Sequence, residues 1–362
     1  MRTIIAGGGT GGHLFPGIAV AREIQRRSKD AEVLFVGAEQ GIETRLVPQE
    51  GFRLRCLPAG SMKGVGWSAR LRNIAATVKG ILGAKKILKE FRPAVVIGVG
   101  GYASFPMVGA AILNGYPRII MEQNAVPGLA NRVLGRWVDF AAVTDPGTSS
   151  YFGKRAVVTG NPIRPQFKSI PDKAHQIPFQ ILVFGGSQGA QSINKAVRES
   201  LPLLADWKGR LRFIHQTGEA QLDETRAAYA AAGFDADVRA FFDEFHQKYA
   251  AADLIVSRAG ATTVAEIKAS GRAAVLIPFP FAADDHQTRN AQSMVGEGAA
   301  IMISNAVLTG EKLAETIRSL LSDIPRLETI ERNAKRIAVL DAEQKIVDLA
   351  EKAVEQRGGE LR

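Results

Sequence analysis

Apolar runs of a few residues alternate along this chain with longer stretches in which apolar positions recur every three or four residues. That is the rhythm of strands interleaved with amphipathic helices. In the first half it predicts strands at 3–6, 33–36, 54–57, 95–99, 119–121 and 141–144, and helices over 17–27, 68–91, 105–113 and 129–137. The second half repeats the rhythm, with strands predicted at 181–184, 213–216, 238–240, 254–256, 274–277 and 301–303. The alternation specifies α/β architecture, parallel sheets with helices on both faces. Between the halves, Gly160 to Pro165 and the polar stretch to Pro178 interrupt any regular element. Two Rossmann-like lobes are therefore expected, 1–162 and 163–339, with a deep cleft between them. Residues 312–356 are helical by composition, and a last helix over about 340–362 is expected to pack back on the first lobe.

Length and composition agree with two lobes: 362 residues, 46% of them hydrophobic, can bury two cores. Cys56 is the only cysteine, which excludes an intrachain disulfide framework and points to a reducing compartment. Met1 and Arg2 lead straight into an apolar strand and a glycine run, so no signal peptide is expected. No apolar run reaches the ~20 residues of a membrane span, and any membrane contact should be peripheral. The net charge of +10 is unevenly placed: residues 1–162 carry 21 Lys and Arg against 10 Asp and Glu, residues 163–362 carry 25 against 26. Eight of the basic residues fall between Lys63 and Arg92, beside one acid, Glu90. Such a segment suits an anionic surface, nucleic acid or lipid head groups.

Glycine turns punctuate both halves. Gly7 Gly8 Gly9 Thr10 Gly11 Gly12 His13 follows the first strand and satisfies the G-x-G-x-x-G spacing, which keeps a dinucleotide oxidoreductase in contention. The acid such a site needs after the second strand is represented only by Glu39. The additional glycine and His13 favour another use, a bulky substrate approaching bare backbone with an imidazole aimed at it. A helix amino end favours neutral imidazole, the form a general base requires. Gly185 Gly186 Ser187 Gln188 Gly189 Ala190 holds the equivalent place in the second lobe, where a helix amino end and Ser187 can meet a phosphate. The stretch 253–290 has the layout of a nucleotide-sugar pocket. A strand breaks at Arg258 Ala259 Gly260 Ala261 into a helix that begins near Thr262 and Thr263, Glu266 lies one turn in, and a Pro278–Phe281 loop leads to His286, Gln287 and Asn290. The helix amino end would hold a diphosphate, Glu266 two ribose hydroxyls, and the last three residues a sugar.

In the 68–91 helix the apolar stripe Leu71, Ile74, Ala75, Val78, Leu82 runs beside Lys79 and is then taken over by Lys85, Lys86 and Lys89. A core helix does not usually carry lysines along its buried stripe. An interfacial element is expected, with Trp67 and Trp137 at head-group depth. Asp284 and Asp285 point differently and have no third ligand, so no metal is assigned.

Seven motifs, taken together and in order, resemble one family. They are GGGTGGH at 7–13, GVGGY at 98–102, EQNAVPGLAN at 122–131, GNPIR at 160–164, GGSQGA at 185–190, SRAGATTVAE at 257–266 and HQTRNA at 286–291. The family is that of the bacterial peptidoglycan N-acetylglucosaminyltransferases that form the second lipid-linked intermediate. The resemblance implies a glycosyltransferase B-type fold, and inverting transfer of N-acetylglucosamine (GlcNAc) from UDP-GlcNAc to the C4 hydroxyl of the muramyl sugar on undecaprenyl diphosphate. It implies no cofactor, no metal and no nucleic acid, but an anionic membrane surface at the cytoplasmic face of the cell membrane. It also leaves room for partners among other cell-wall synthesis proteins. By matching position, it implies His13 as base. Donor contacts would come from Thr10, Gly11, Gly12, Asn124, Arg164, Ser187, Phe242, Ala261, Thr262, Thr263, Glu266 and Gln287, acceptor contacts from Tyr102, Asn124 and Asn131. Phe242 departs from the family's usual aliphatic residue, which puts the fit around the base in question. A UDP-GlcNAc 2-epimerase is the nearest alternative, and a membrane-bound sugar-nucleotide sensor a non-enzymatic one.

Overall fold

The computed structural model describes residues 1–57, 67–186 and 188–358, without the side chains of 67–77 and Ala283. The chain divides into two compact units, Met1–Arg164 with Leu340–Arg362, and Pro165–Val339.

The first unit is built from β1 (Arg2–Gly7), α1 (Gly11–Arg27), β2 (Glu32–Ala38), α2 (Glu43–Gln49), β3 (Arg53–Leu57), α3 (Trp67–Phe91), β4 (Val95–Gly100), α4 (Ser104–Leu113), β5 (Arg118–Glu122), α5 (Leu129–Leu134), β6 (Phe140–Val143) and β7 (Ala156–Val158). The strands form one parallel sheet in the order β3-β2-β1-β4-β5-β6-β7. The order reverses between β1 and β4, so the loops leaving these two strands border the crevice where α/β sheets of this kind bind ligands. Side chains of each strand alternate between faces. Ile5, Phe35 and Ile97 pack with Leu14, Ile18 and Ile24 of α1, and Ile4, Leu34 and Val96 pack with Ile87 and Leu88 of α3 and Met107 of α4.

The second unit contains α6 (Pro165–Lys168), β8 (Phe179–Phe184), α7 (Gln191–Ser200), β9 (Leu211–Gln216), α8 (Leu222–Ala232), β10 (Asp235–Arg239), α9 (Phe245–Ala251), β11 (Leu254–Ser257), α10 (Ala261–Ser270), β12 (Ala274–Leu276), α11 (His286–Gly296), β13 (Ile301–Met302), α12 (Gly310–Leu321) and α13 (Ile324–Arg336). Its parallel sheet has the order β10-β9-β8-β11-β12-β13, with the same reversal, here between β8 and β11. A buried carboxylate anchors its rim: Asp253 accepts from the Gln180 N–H at 2.7 Å, from His175 at 2.9 Å and from Lys173.

The chain then returns. Helix α14 (Ala342–Gln356) belongs to the first unit, where Ile346, Val347, Ala350 and Ala353 join the core, and it packs against α1 and strands β4, β5 and β6. Arg27 of α1 meets Asp348 and Glu351 on α14, and Arg357 just past it meets Asp139.

Helix α1 starts six residues before its predicted start at 17. Pro16 sits inside it and forfeits the bond to the Gly12 carbonyl, yet near an amino end that loss does not stop the helix. The expected helix over 129–137 closes at Leu134, and α2 and β7, both short, carry too few apolar positions for periodicity to reveal them. No helix among the described residues is long and apolar enough to cross a membrane.

Candidate functional site

The first loop group lies where β1 and β4 end. Gly7, Gly8 and Gly9 take φ of 142°, 145° and 83°. These values alone favour glycine. Space demands it as well, since a Cβ on Gly7 would meet the Gly100 carbonyl oxygen at 2.0 Å and one on Gly101 would meet the Gly8 oxygen at 2.2 Å. The Gly8 N–H donates to the Gly100 carbonyl at 3.1 Å, locking the two loops together.

Beneath this turn sits Glu43, whose side chain the neighbouring glycines make room for. It is 1% exposed, and its carboxylate accepts from the Gly9 N–H at 2.8 Å and the Ala38 N–H at 2.9 Å. A Cβ at Gly8, Gly37 or Gly41 would strike it. The turn that a dinucleotide diphosphate would need is thus already engaged by an anion of the chain itself. Sequence reasoning looked to Glu39 and passed over Glu43, although two nearby glycines, Gly37 and Gly41, flagged a crowded side chain.

His13 stands in the first turn of α1, beside the exposed Thr10 and Gly12. Its imidazole rests on Gly100, where a Cβ would approach Nδ1 to 2.7 Å, and its Nδ1 lies 3.2 Å from Oε1 of Gln123. Tyr102 borders the same turn near Gly9 and is 41% exposed. The Arg164 guanidinium lies 5.7 Å from the ring centre of Phe15, one turn along α1. His13, Thr10, Gly11, Gly12, Tyr102 and Arg164 therefore share one end of the sheet.

Asn124 and Asn131 also hold the loop that carries them. Both serve Glu122, a buried carboxylate at the end of β5. Asn124 donates through its backbone N–H at 3.1 Å, Gly128 likewise at 3.1 Å, and Asn131 through its side-chain amide at 2.9 Å. Burial pushes the Glu122 pKa up, against the pull of these donors. Asn131 is buried and also donates to the Met121 carbonyl, so it braces the 122–131 loop from within.

The second loop group lies where β8 and β11 end. Ser187 falls outside the described residues. Its loop interlocks with 217–218: a Cβ on Gly189 would meet the Thr217 carbonyl oxygen at 1.8 Å. Gln216 donates to the Gly186 carbonyl at 3.1 Å and accepts from the Phe242 N–H at 3.0 Å, tying the loop to a buried Phe242 ring flanked by Arg239 and Lys248.

Gly260 caps α10, with Ala261, Thr262 and Thr263 half-buried in its first turn and Glu266 buried one turn in. Gln287 holds this junction through its Oε1, which accepts from Ala259 N–H at 3.2 Å and Phe279 N–H at 3.0 Å, and Asn290 donates to the Ala259 carbonyl at 3.0 Å. The decisive brace is Arg258. Its buried guanidinium donates to the Ile277 and Pro278 carbonyls, to Asn305 and to Ser192, joining β11, β12 and α7. Burial lowers its pKa to about 10.

On α3 the exposed face carries Val78 (51%) and Leu82 (62%) with Lys79, Lys85, Lys86 and Lys89, while Ala84, Ile87, Leu88 and Phe91 face the core. Trp67 and Ile74 have side chains outside the described residues. Exposed Leu113, Leu129, Val133 and Trp137 belong to the same unit.

The glycosyltransferase family 28 N-terminal domain matches residues 3–143, and the family 28 C-terminal domain matches residues 180–350. A Citrifermentans bemidjiense protein called UDP-N-acetylglucosamine--N-acetylmuramyl-(pentapeptide) pyrophosphoryl-undecaprenol N-acetylglucosamine transferase is 51% identical over 96% of this chain and 98% of its own. The crystal structure of Acinetobacter baumannii MurG is similar with a TM-score of 0.81 and 31% identity, covering 97% of this chain and 99% of that one. A Neisseria meningitidis UDP-GlcNAc 2-epimerase, crystallised with UDP-GlcNAc, has a TM-score of 0.69 at 14% identity over 97% of this chain and all of its own, a likeness of fold alone.

Proposed function

The chain belongs to glycosyltransferase family 28, in the branch of the pyrophosphoryl-undecaprenol N-acetylglucosamine transferases, and from that membership we propose how its own residues carry out the reaction. The protein is an inverting N-acetylglucosaminyltransferase. It moves GlcNAc from UDP-GlcNAc to the C4 hydroxyl of N-acetylmuramyl-pentapeptide on diphospho-undecaprenol (lipid I), and the product is lipid II of peptidoglycan synthesis.

His13 accepts the proton of the C4 hydroxyl as that oxygen attacks C1 of the donor sugar. The C1–O bond to the diphosphate breaks, UDP leaves with the electron pair, and the new linkage is β because attack comes from the opposite side. A transition state of oxocarbenium character places growing negative charge on the diphosphate. Arg164, the α1 amino end at Thr10 to Gly12, the Gly185–Ala190 turn with Ser187 and the α10 amino end at Ala261 to Thr263 meet that charge. Glu266 receives the ribose hydroxyls, Phe242 borders the uracil, and Gln287 and Asn124 face the sugar. Tyr102 and the loop braced by Asn131 receive the acceptor.

The observation that carries the assignment of the base is His13 seated against Gly100 at the point where the strand order reverses. Transfer of label from UDP-GlcNAc to a short-chain lipid I analogue tests it. His13→Ala should lower turnover ~100-fold or more while changing donor affinity little. Near-normal turnover in that variant removes the assignment.

We further propose that the enzyme works as a peripheral protein on the cytoplasmic face of the cell membrane. The support is the exposed face of α3, where two apolar side chains stand among four lysines, with Trp67 and Ile74 on the same helix. Reversing the charges of Lys85, Lys86 and Lys89 should abolish flotation with anionic liposomes. Undiminished flotation rules the surface out.

A further inference from the structure

Gln123 is buried between His13 and the backbone of β4. Its Nε2 donates to the Val99 carbonyl at 3.1 Å, and its Oε1 lies 3.2 Å from His13 Nδ1. These two contacts determine each other. A carbonyl oxygen only accepts, so the Gln123 amide must present its nitrogen to Val99 and its oxygen to His13. That oxygen also only accepts, so the hydrogen of the neutral imidazole must be on Nδ1. The lone pair is then on Nε2.

We propose that Gln123 is a positioning residue that fixes the tautomer of His13, setting Nε2 as the atom that takes the acceptor hydroxyl's proton. The proposal rests on His13 acting as the base. Val99 is in a central strand and Gln123 directly follows another, so the relay is referenced to the most rigid part of the sheet. Gly100 supports the ring from the same strand end. In the reaction the O–H bond of the acceptor breaks, the Nε2–H bond forms, and the positive charge spreading over the ring is met at Nδ1–H by the amide oxygen. An amide supplies this stabilisation without a full negative charge, so the imidazolium can give up its proton at the end of the cycle.

The test uses the full chain labelled with ¹⁵N-histidine, at a pH where the ring is neutral, with His13 picked out of the five histidines by loss of its signals in His13→Gln. Long-range proton–nitrogen correlations should report Nδ1–H in the native protein and lose that pattern in Gln123→Leu. In the transfer assay, Gln123→Leu should lower kcat about 10- to 100-fold with donor KM within about twofold. Gln123→Glu, which restores an acceptor at Nδ1, should recover the Nδ1–H pattern. A native His13 protonated on Nε2 overturns the proposal, even if no variant folds. So does a Gln123→Leu enzyme that loses the Nδ1–H pattern and keeps native kcat. Should His13→Gln turn over normally, the base assignment fails and the catalytic use of Gln123 with it, whereas the native spectrum still decides the hydrogen bond.

Discussion

A methyl group at Gly100 has nowhere to go except into the His13 ring, and the φ of 93° there is itself hostile to alanine. Gly100→Ala should therefore act like a lesion of His13, with kcat at least ~100-fold down and donor KM nearly unchanged in the transfer assay. Glu43 makes a different kind of demand. Its removal strands the Gly9 and Ala38 N–H groups and leaves a void ringed by glycines. Glu43→Ala should lower stability by ~3 kcal/mol, read from urea midpoints, because two half-buried donors lose a buried acceptor. Neither residue has a proposed contact with substrate. Both hold the backbone on which His13 depends.

Single elements carry the next set of expectations. Val78 and Leu82 on α3 are exposed, so Val78→Ser with Leu82→Ser should weaken vesicle binding while stability stays within ~0.5 kcal/mol of the parent. Chemical denaturation beside flotation separates the two effects. Arg258 behaves oppositely, since its guanidinium joins three elements from within. Arg258→Lys cannot span those acceptors, and UDP binding measured by calorimetry should weaken about tenfold or more. At this scale the sequence was largely legible. Apolar runs marked the central strands because those strands are covered on both sides, and glycine turns marked the loops because backbone crowding admits nothing else. Most of the braces were not legible. Gln123, Gln216 and Arg258 act on backbone groups brought near by tertiary packing, and no local spacing encodes a partner far along the chain, whereas Glu43 left a local mark in the glycines at 37 and 41. Asn131 likewise donates to Glu122, a partner that its motif did not reveal.

At the scale of the whole molecule, two histidines of the second unit shape stability in opposite directions. His175 is raised to about 9 by its hydrogen bonds to Asp253 and then Glu331. Its contribution is complete below pH ~6.5, the unfolded value, and is lost as pH climbs through 9. His215 is lowered to about 3 by burial, between Asn194 and Tyr229. The unfolded chain takes up that proton first, so stability falls as pH drops from ~6.5 toward 3. Urea midpoints of the protein should peak near neutrality, and His175→Gln should flatten the alkaline side only. Helix α14 returns to the first unit after the second is complete in sequence. Ile346 and Val347 are each worth roughly 2 kcal/mol of burial there. During synthesis, everything the second unit needs has been joined before α14 is made, whereas the first unit waits. The unit that holds His13 is thus the last to close, and a chain interrupted before α14 would release a complete second unit joined to an unsealed first one.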